Sequence, residues 1–279
     1  MSITGIPLSD PASRSLAPLL VMNPTTVLLP VLAAALAFSS PAAEPAAKPA
    51  PEAKPATSAL TGAAAIFARH VKALGGEEAL RVQTVRSLKG DLELAVMPGV
   101  TVNFASLAKA PDKLLQAIDI PNGGTIVVGT DGPAAWVSLP GGNVQDITGD
   151  QLKDLVRQAD FWRPIEFGRG LGKLAVKGTE KVGDIPCDVV EGTTADGKTE
   201  KLFFATTTGL LARWDHEAYT DAGMQPAQDI YEDYKEIGGI KIAHRLRRTK
   251  PDTATFTLRV TDVGTGGNPD DSKFKKPTQ

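Results

Sequence analysis

Three histidines, one cysteine and a knot of carboxylates are the side chains from which this chain would build acid-base, nucleophilic or metal chemistry. His70, His216 and His244 stand far apart. A zinc-type site needs three or four ligands, and no third ligand stands at a recognisable spacing from His216 and His244. They read as core histidines with satisfied hydrogen bonds, and no metal is assigned. Cys187 beside Asp188 has no histidine near it in sequence, so it reads as a buried structural thiol rather than a nucleophile. Asp229, Glu232, Asp233 and Glu236 crowd into one stretch and read as a solvated face rather than an acid-base pair. Gly168-Arg169-Gly170-Leu171-Gly172 lacks the buried strand that precedes a phosphate- or dinucleotide-binding loop, and reads as a plain mobile loop. No catalytic residue and no cofactor is assigned, and the expected protein is not an enzyme. An enzymatic reading would require His216 and His244 to meet a carboxylate within hydrogen-bonding reach.

The elements that would position these groups are mostly strands. Along Ile240-Lys241-Ile242-Ala243-His244-Arg245-Leu246-Arg247, alternate residues form an apolar face holding Ile242 and His244 and a polar one. Ala254, Phe256, Leu258 and Val260 repeat the pattern against Thr255, Thr257, Arg259 and Thr261. Alternation of this kind marks antiparallel strands with one face buried and one wet. Thr199 to Val263 is the clearest such stretch, and there Trp214, His216, Ile242, His244, Phe256 and Leu258 are expected to face a shared interior, with Ala212 in phase with Trp214. Earlier strands are expected near Leu88–Leu94, Val100–Ala105, Leu114–Ile120, Thr125–Thr130 and Ala134–Leu139, divided by turns such as Asp131-Gly132-Pro133, and later ones at Lys173–Val182 and Cys187–Thr193. Helical spacing predicts an amphipathic helix from Thr61, which can cap it, to Gly75-Gly76, a short turn over Glu77–Val82, and a second helix over Thr148–Ala159.

Outside this region the chain changes character. Val27 to Phe38 is an apolar run followed by small residues, so residues 1–42 read as a secretory signal peptide, with Met22 an alternative start. The run is shorter than the ~20 residues of a spanning helix. Residues 43–60 read as a Pro/Ala-rich linker, 61–265 as the folded domain and 266–279 as an exposed polar tail. Export places the protein in the periplasm. With 30 basic and 32 acidic residues, the chain has no electrostatic footprint for nucleic acid.

Ala73-Leu74-Gly75-Gly76-Glu77-Glu78-Ala79-Leu80, Ala110-Pro111-Asp112-Lys113, Thr130-Asp131-Gly132 through Trp136, Thr208-Gly209-Leu210-Leu211, Tyr234-Lys235-Glu236-Ile237-Gly238-Gly239-Ile240-Lys241 and Phe274-Lys275-Lys276-Pro277 resemble the outer-membrane lipoprotein-sorting family, the LolA/LolB-like proteins. The resemblance implies a mainly β, α+β fold: a curved antiparallel half-barrel of about eleven strands, with helices covering a concave apolar cavity. In that setting Phe104, Trp136, Trp162, Trp214, His216, Ile242, His244, Phe256 and Leu258 become candidate cavity-lining residues. The ligand class is a lipid, an acyl chain or a lipoprotein, carried by a monomer. The other reading is an envelope interaction or sensing module with a filled core and a protein partner. A continuous void of about 300 Å³ or more between sheet and helices favours the first reading, and dense packing the second.

Overall fold

The computed structural model describes residues 56–220, 222–250 and 253–278. The expected signal peptide, and the linker up to residue 55, lie outside the described residues. Helix α1 spans Ala56–Ala73, so it begins inside the expected linker and Thr61 is an interior helical residue rather than its cap. It is followed by the short helix α2, Glu77–Val82. Gly75, at φ 128°, lets the end of α1 close on the sheet: a Cβ there would lie 2.3 Å from the Gly239 carbonyl oxygen, and Lys241 N–H donates to Leu74 O at 2.7 Å.

Among the described residues thirteen antiparallel strands form one open sheet. Strands β1 (Val85–Leu94), β2 (Thr101–Lys109), β3 (Lys113–Ile120), β4 (Gly124–Asp131), β5 (Ala134–Ser138) and β6 (Val144–Ile147) run outward from the middle to one edge. Helix α3 (Gly149–Ala159) and a short helix α4 (Phe167–Gly170) then carry the chain to the other edge. From there β7 (Gly172–Val182), β8 (Ile185–Thr193), β9 (Thr199–Ala205), β10 (Leu211–Thr220), β11 (Gly223–Ile237), β12 (Ile240–Lys250) and β13 (Thr253–Thr265) return to the middle, where β13 pairs with β1. Two meanders are thus zipped along one non-local seam, and the crossover between the outer edges has to pass over a face of the sheet. This is the open half-barrel of about eleven strands that was expected, and the strand no segment of the sequence pointed to is β6, whose four residues between Asn143 and α3 are too few to show alternation.

The face under the crossover carries three clusters. At one end Ile126, Val128, Ala135, Val137 and Ile147 pack under Leu155 of α3. At the other, Ala63 and Ile66 of α1 and Phe167 of α4 cover Val190, Leu202, Phe204 and Leu211. Between them lie Leu92, Leu94, Val102, Phe104, Ile118, Leu258 and Val260. The opposite face has its own core of Cys187, Val189, Phe203, Ala205 and Ala212. Ala212 falls there, away from Trp214, because the β9–β10 register shifts between Leu211 and Arg213.

The C-terminal segment is not an exposed polar tail. Phe274 is fully buried, its carbonyl accepts the Trp136 indole N–H at 2.8 Å, and Lys109 reaches Asn268, Pro269 and Asp271. Trp136 pairs with Gly129 on β4, where a Cβ would come within 2.4 Å of the indole. The bare backbone gives the ring its seat. Trp136→Phe keeps most of the packed ring but orphans the buried carbonyl, and is expected to lower stability by about 1–3 kcal/mol in urea unfolding. A midpoint equal to that of the parent protein would refute the hydrogen bond's role.

Candidate functional site

The candidate site is the interior face beneath α3 and α4, and strand parity settles which side chains reach it. On β1, residues 86, 88, 90, 92 and 94 share one side, since its pairing with β2 runs without interruption. Leu92 faces Leu258 and Leu94 faces Phe256 on β13, Leu258 faces Leu246 on β12, and Leu246 faces Tyr231 on β11. Phe104, Phe256 and Leu258 therefore meet in the central stripe, with Leu88, Leu246 and Val263 packed against it. By alternation Ile242 and His244 lie on this face too, and His244 Nδ1 stands 2.9 Å from the carbonyl of Ile242. Trp136 does not join them: Ala135 and Val137 take the interior side, and its ring packs on the other face over Gly129.

Beside the stripe, on β9 to β12 and reaching α3, sits a buried network of ions, which corrects the expectation that Asp229 is solvated. Glu200, with a side chain only 1% exposed, lies between Arg157 at 2.8 Å and Arg163 at 3.0 Å, and accepts the Trp214 indole N–H at 2.9 Å. Arg157, on α3, also holds Asp154 at 2.8 Å and donates to the Glu217 carbonyl on β10. Asp154 in turn accepts the backbone N–H of Tyr219 at 3.1 Å. Trp214 is stacked on His216 with ring centroids 4.0 Å apart, and the Arg163 guanidinium lies 4.2 Å over its ring. His216 Nε2 stands 3.1 Å from Asp229, which is also gripped by Arg248 at 2.7 Å and 2.8 Å.

Three guanidinium groups thus face three carboxylates, so the burial is compensated in charge. Burial alone would raise the Asp229 pKa, but Arg248 and His216 together hold it well below the usual carboxylate range. Burial alone would lower that of Arg248, and Asp229 lifts it further above the arginine range. His216 meets a carboxylate and His244 does not, so the arrangement required for an enzymatic reading does not assemble. The His216–Asp229 pair is committed to Arg248 and capped by Trp214. Among the described residues no group of three His, Cys, Asp or Glu is placed to hold a metal ion. Cys187 lies in the opposite core, fully buried, and burial pushes its thiol up.

Trp162 lies at the end of the crossover from α3, edge-on to Phe161 at 5.1 Å. Both border a cavity of about 30 Å³ together with Leu80, Arg86, Ile165 and Ile240. A second cavity of about 10 Å³ lies between the end of β10 and β12. Neither approaches the ~300 Å³ of a ligand pocket. The ion network and Arg86 were missed in sequence. Asp154 and Arg157 carry the one local signal, an i, i+3 pair on a helix, whereas the other partners lie tens of residues apart.

No protein-family model matches the chain, and no curated protein matches it. Solved structures do. The chain is similar to a DUF1329 family protein from Desulfovibrio piger at 17% identity and TM-score 0.54, over 76% of this chain and 96% of that one. It is similar to a LolA superfamily protein from Nitrosomonas europaea at 15% identity and TM-score 0.50, over 74% and 97%. A domain from Vibrio parahaemolyticus named as an outer membrane lipoprotein-sorting protein aligns at 15% identity and TM-score 0.53, over 79% and 97%. The fold is therefore LolA-like, as the sequence phrases implied.

Proposed function

We propose that this chain is a non-enzymatic, periplasmic binding module that takes an acyl chain, from a lipid or a lipoprotein, along the central stripe of its interior face. The observation that carries this reading is the make-up of that stripe. Its seven buried members all come from strands, and the side chains packed against it come from strands and one turn, with none from a helix. The structure is then the closed state. The cavity of about 30 Å³ beside Trp162 and Ile165 admits no acyl chain, so the crossover segment that walls it must first shift, and Arg157 and Asp154 are the groups that tie its helix α3 to β9 and β10. Each CH₂ that afterwards leaves water contributes about 0.8 kcal/mol, enough for a partly covered chain to bind usefully.

Protein purified from cell-envelope extract should carry a lipid visible by mass spectrometry, and after stripping should enhance the fluorescence of an acyl-chain probe. Absence of both would end this reading. The small free volume favours the alternative, an envelope interaction or sensing module whose interior is filled by its own side chains. In that case the Pro-rich segment positions a rigid domain that meets a protein partner through loops or a sheet edge.

A further inference from the structure

Every arginine described in the structure has a carboxylate oxygen within 3.6 Å except one. The exception is Arg86, near the start of β1, whose guanidinium has only the ring of Phe161 at 5.1 Å. It is half-buried, and burial pulls its pKa below the usual arginine value. A half-buried guanidinium without a carboxylate keeps its N–H donors, five in all, available to an acceptor that enters from solvent.

Its surroundings provide a place for that acceptor. Arg86 borders the cavity of about 30 Å³ whose other walls include Leu80, Phe161, Trp162, Ile165 and Ile240. That volume holds about two waters, which is the room two carboxylate oxygens need. The cavity also lies in line with the stripe. Arg86 shares its side of β1 with Leu88, Leu92 and Leu94, and it faces Thr265 while Leu88 faces Val263 and Leu92 faces Leu258. The nearby Arg81 is already paired with Glu77 and Glu166, so Arg86 is the guanidinium at this cavity that has no carboxylate.

We propose that Arg86 is the head-group site of the interior stripe, and that the ligand is a long-chain fatty acid held through its carboxylate. This rests on the acyl-binding reading and narrows it. A planar carboxylate matches the guanidinium fork in a two-bond pairing. A glycerophosphate head group exceeds the cavity, and an esterified or amide-linked chain offers no charge to Arg86.

The test is fluorescence titration of the full chain with cis-parinaric acid and with its methyl ester, which has the same tail and no charge. The acid is expected to bind about 10- to 100-fold more tightly than the ester. Arg86→Met should remove that preference while leaving ester binding within about twofold, Arg86→Lys should keep part of it as a point charge without the fork, and Arg81→Gln should leave it intact. Equal binding of acid and ester by the parent protein would overturn the head-group site and leave the acyl-binding reading standing. Binding of neither would overturn both. Retention of the preference by Arg86→Met would overturn the role of Arg86, and because the acid-to-ester ratio of the parent protein is decisive alone, a variant that fails to fold does not protect the proposal.

Discussion

Glu200→Ala is expected to cost about 3–5 kcal/mol of stability, measured as a fall in the urea unfolding free energy. The carboxylate is nearly inaccessible and receives Arg157, Arg163 and the Trp214 indole. Its removal leaves two guanidinium groups partly out of water with Asp154 as their remaining carboxylate, and leaves the indole N–H without its acceptor. The penalty comes from those orphaned partners rather than from the net worth of the ion pairs, because replacing a whole buried pair by apolar groups is often neutral. Glu200→Gln keeps an acceptor for the indole but removes the charge, so its loss should be smaller. A Glu200→Ala variant within about 1 kcal/mol of the parent would show that water fills the site freely and that the network does not clamp α3.

This network also marks where the sequence stopped being informative. Strands such as β12 and β13 were legible because alternation is a local signal, carried by each residue's own polarity. Partner choice is not local. Glu200 meets residues from the crossover, and Asp229, read as one of several solvated carboxylates, is claimed by Arg248 across the β11–β12 pair. Parity failed at two aromatic or small residues for structural reasons. Ala134-Ala135-Trp136-Val137 is apolar on both sides, so nothing in it tells which side meets the helices, and only the Gly129 partner and the Phe274 carbonyl place Trp136 outside. Ala212 changed faces through a bulge that its own residue type does not encode. Phe274, set among lysines, looked like part of a polar tail, because a single buried anchor leaves no periodic trace.

His70 should make the protein lose stability as the pH falls from about 6.5 to about 4, by about 3 kcal/mol in total. The ring is 3% exposed, set against Phe204 at 5.0 Å and Phe167 at 5.9 Å, with Nδ1 3.0 Å from the Gly209 carbonyl. Burial lowers its pKa from 6.5 to about 4, outweighing the backbone carbonyls of Gly209 and Pro164, which pull the other way. The folded protein therefore keeps the ring neutral where the unfolded chain has begun to protonate it. Between those two values the unfolded state binds one more proton, so each unit of acidification removes about 1.4 kcal/mol, and the loss ends below the folded value. Asp229 acts in a separate window. Its depressed pKa gives stability that is present above the ordinary carboxylate value and disappears only as the pH falls further. Urea titrations at pH 7 and pH 4.5 should show the loss in the parent protein and a nearly flat response in His70→Leu. Equal losses in both would assign the acid sensitivity elsewhere. Because His70 packs α1 against β9, through Phe204, the proton that destabilises the fold acts first on the docking of α1 over its end of the interior face.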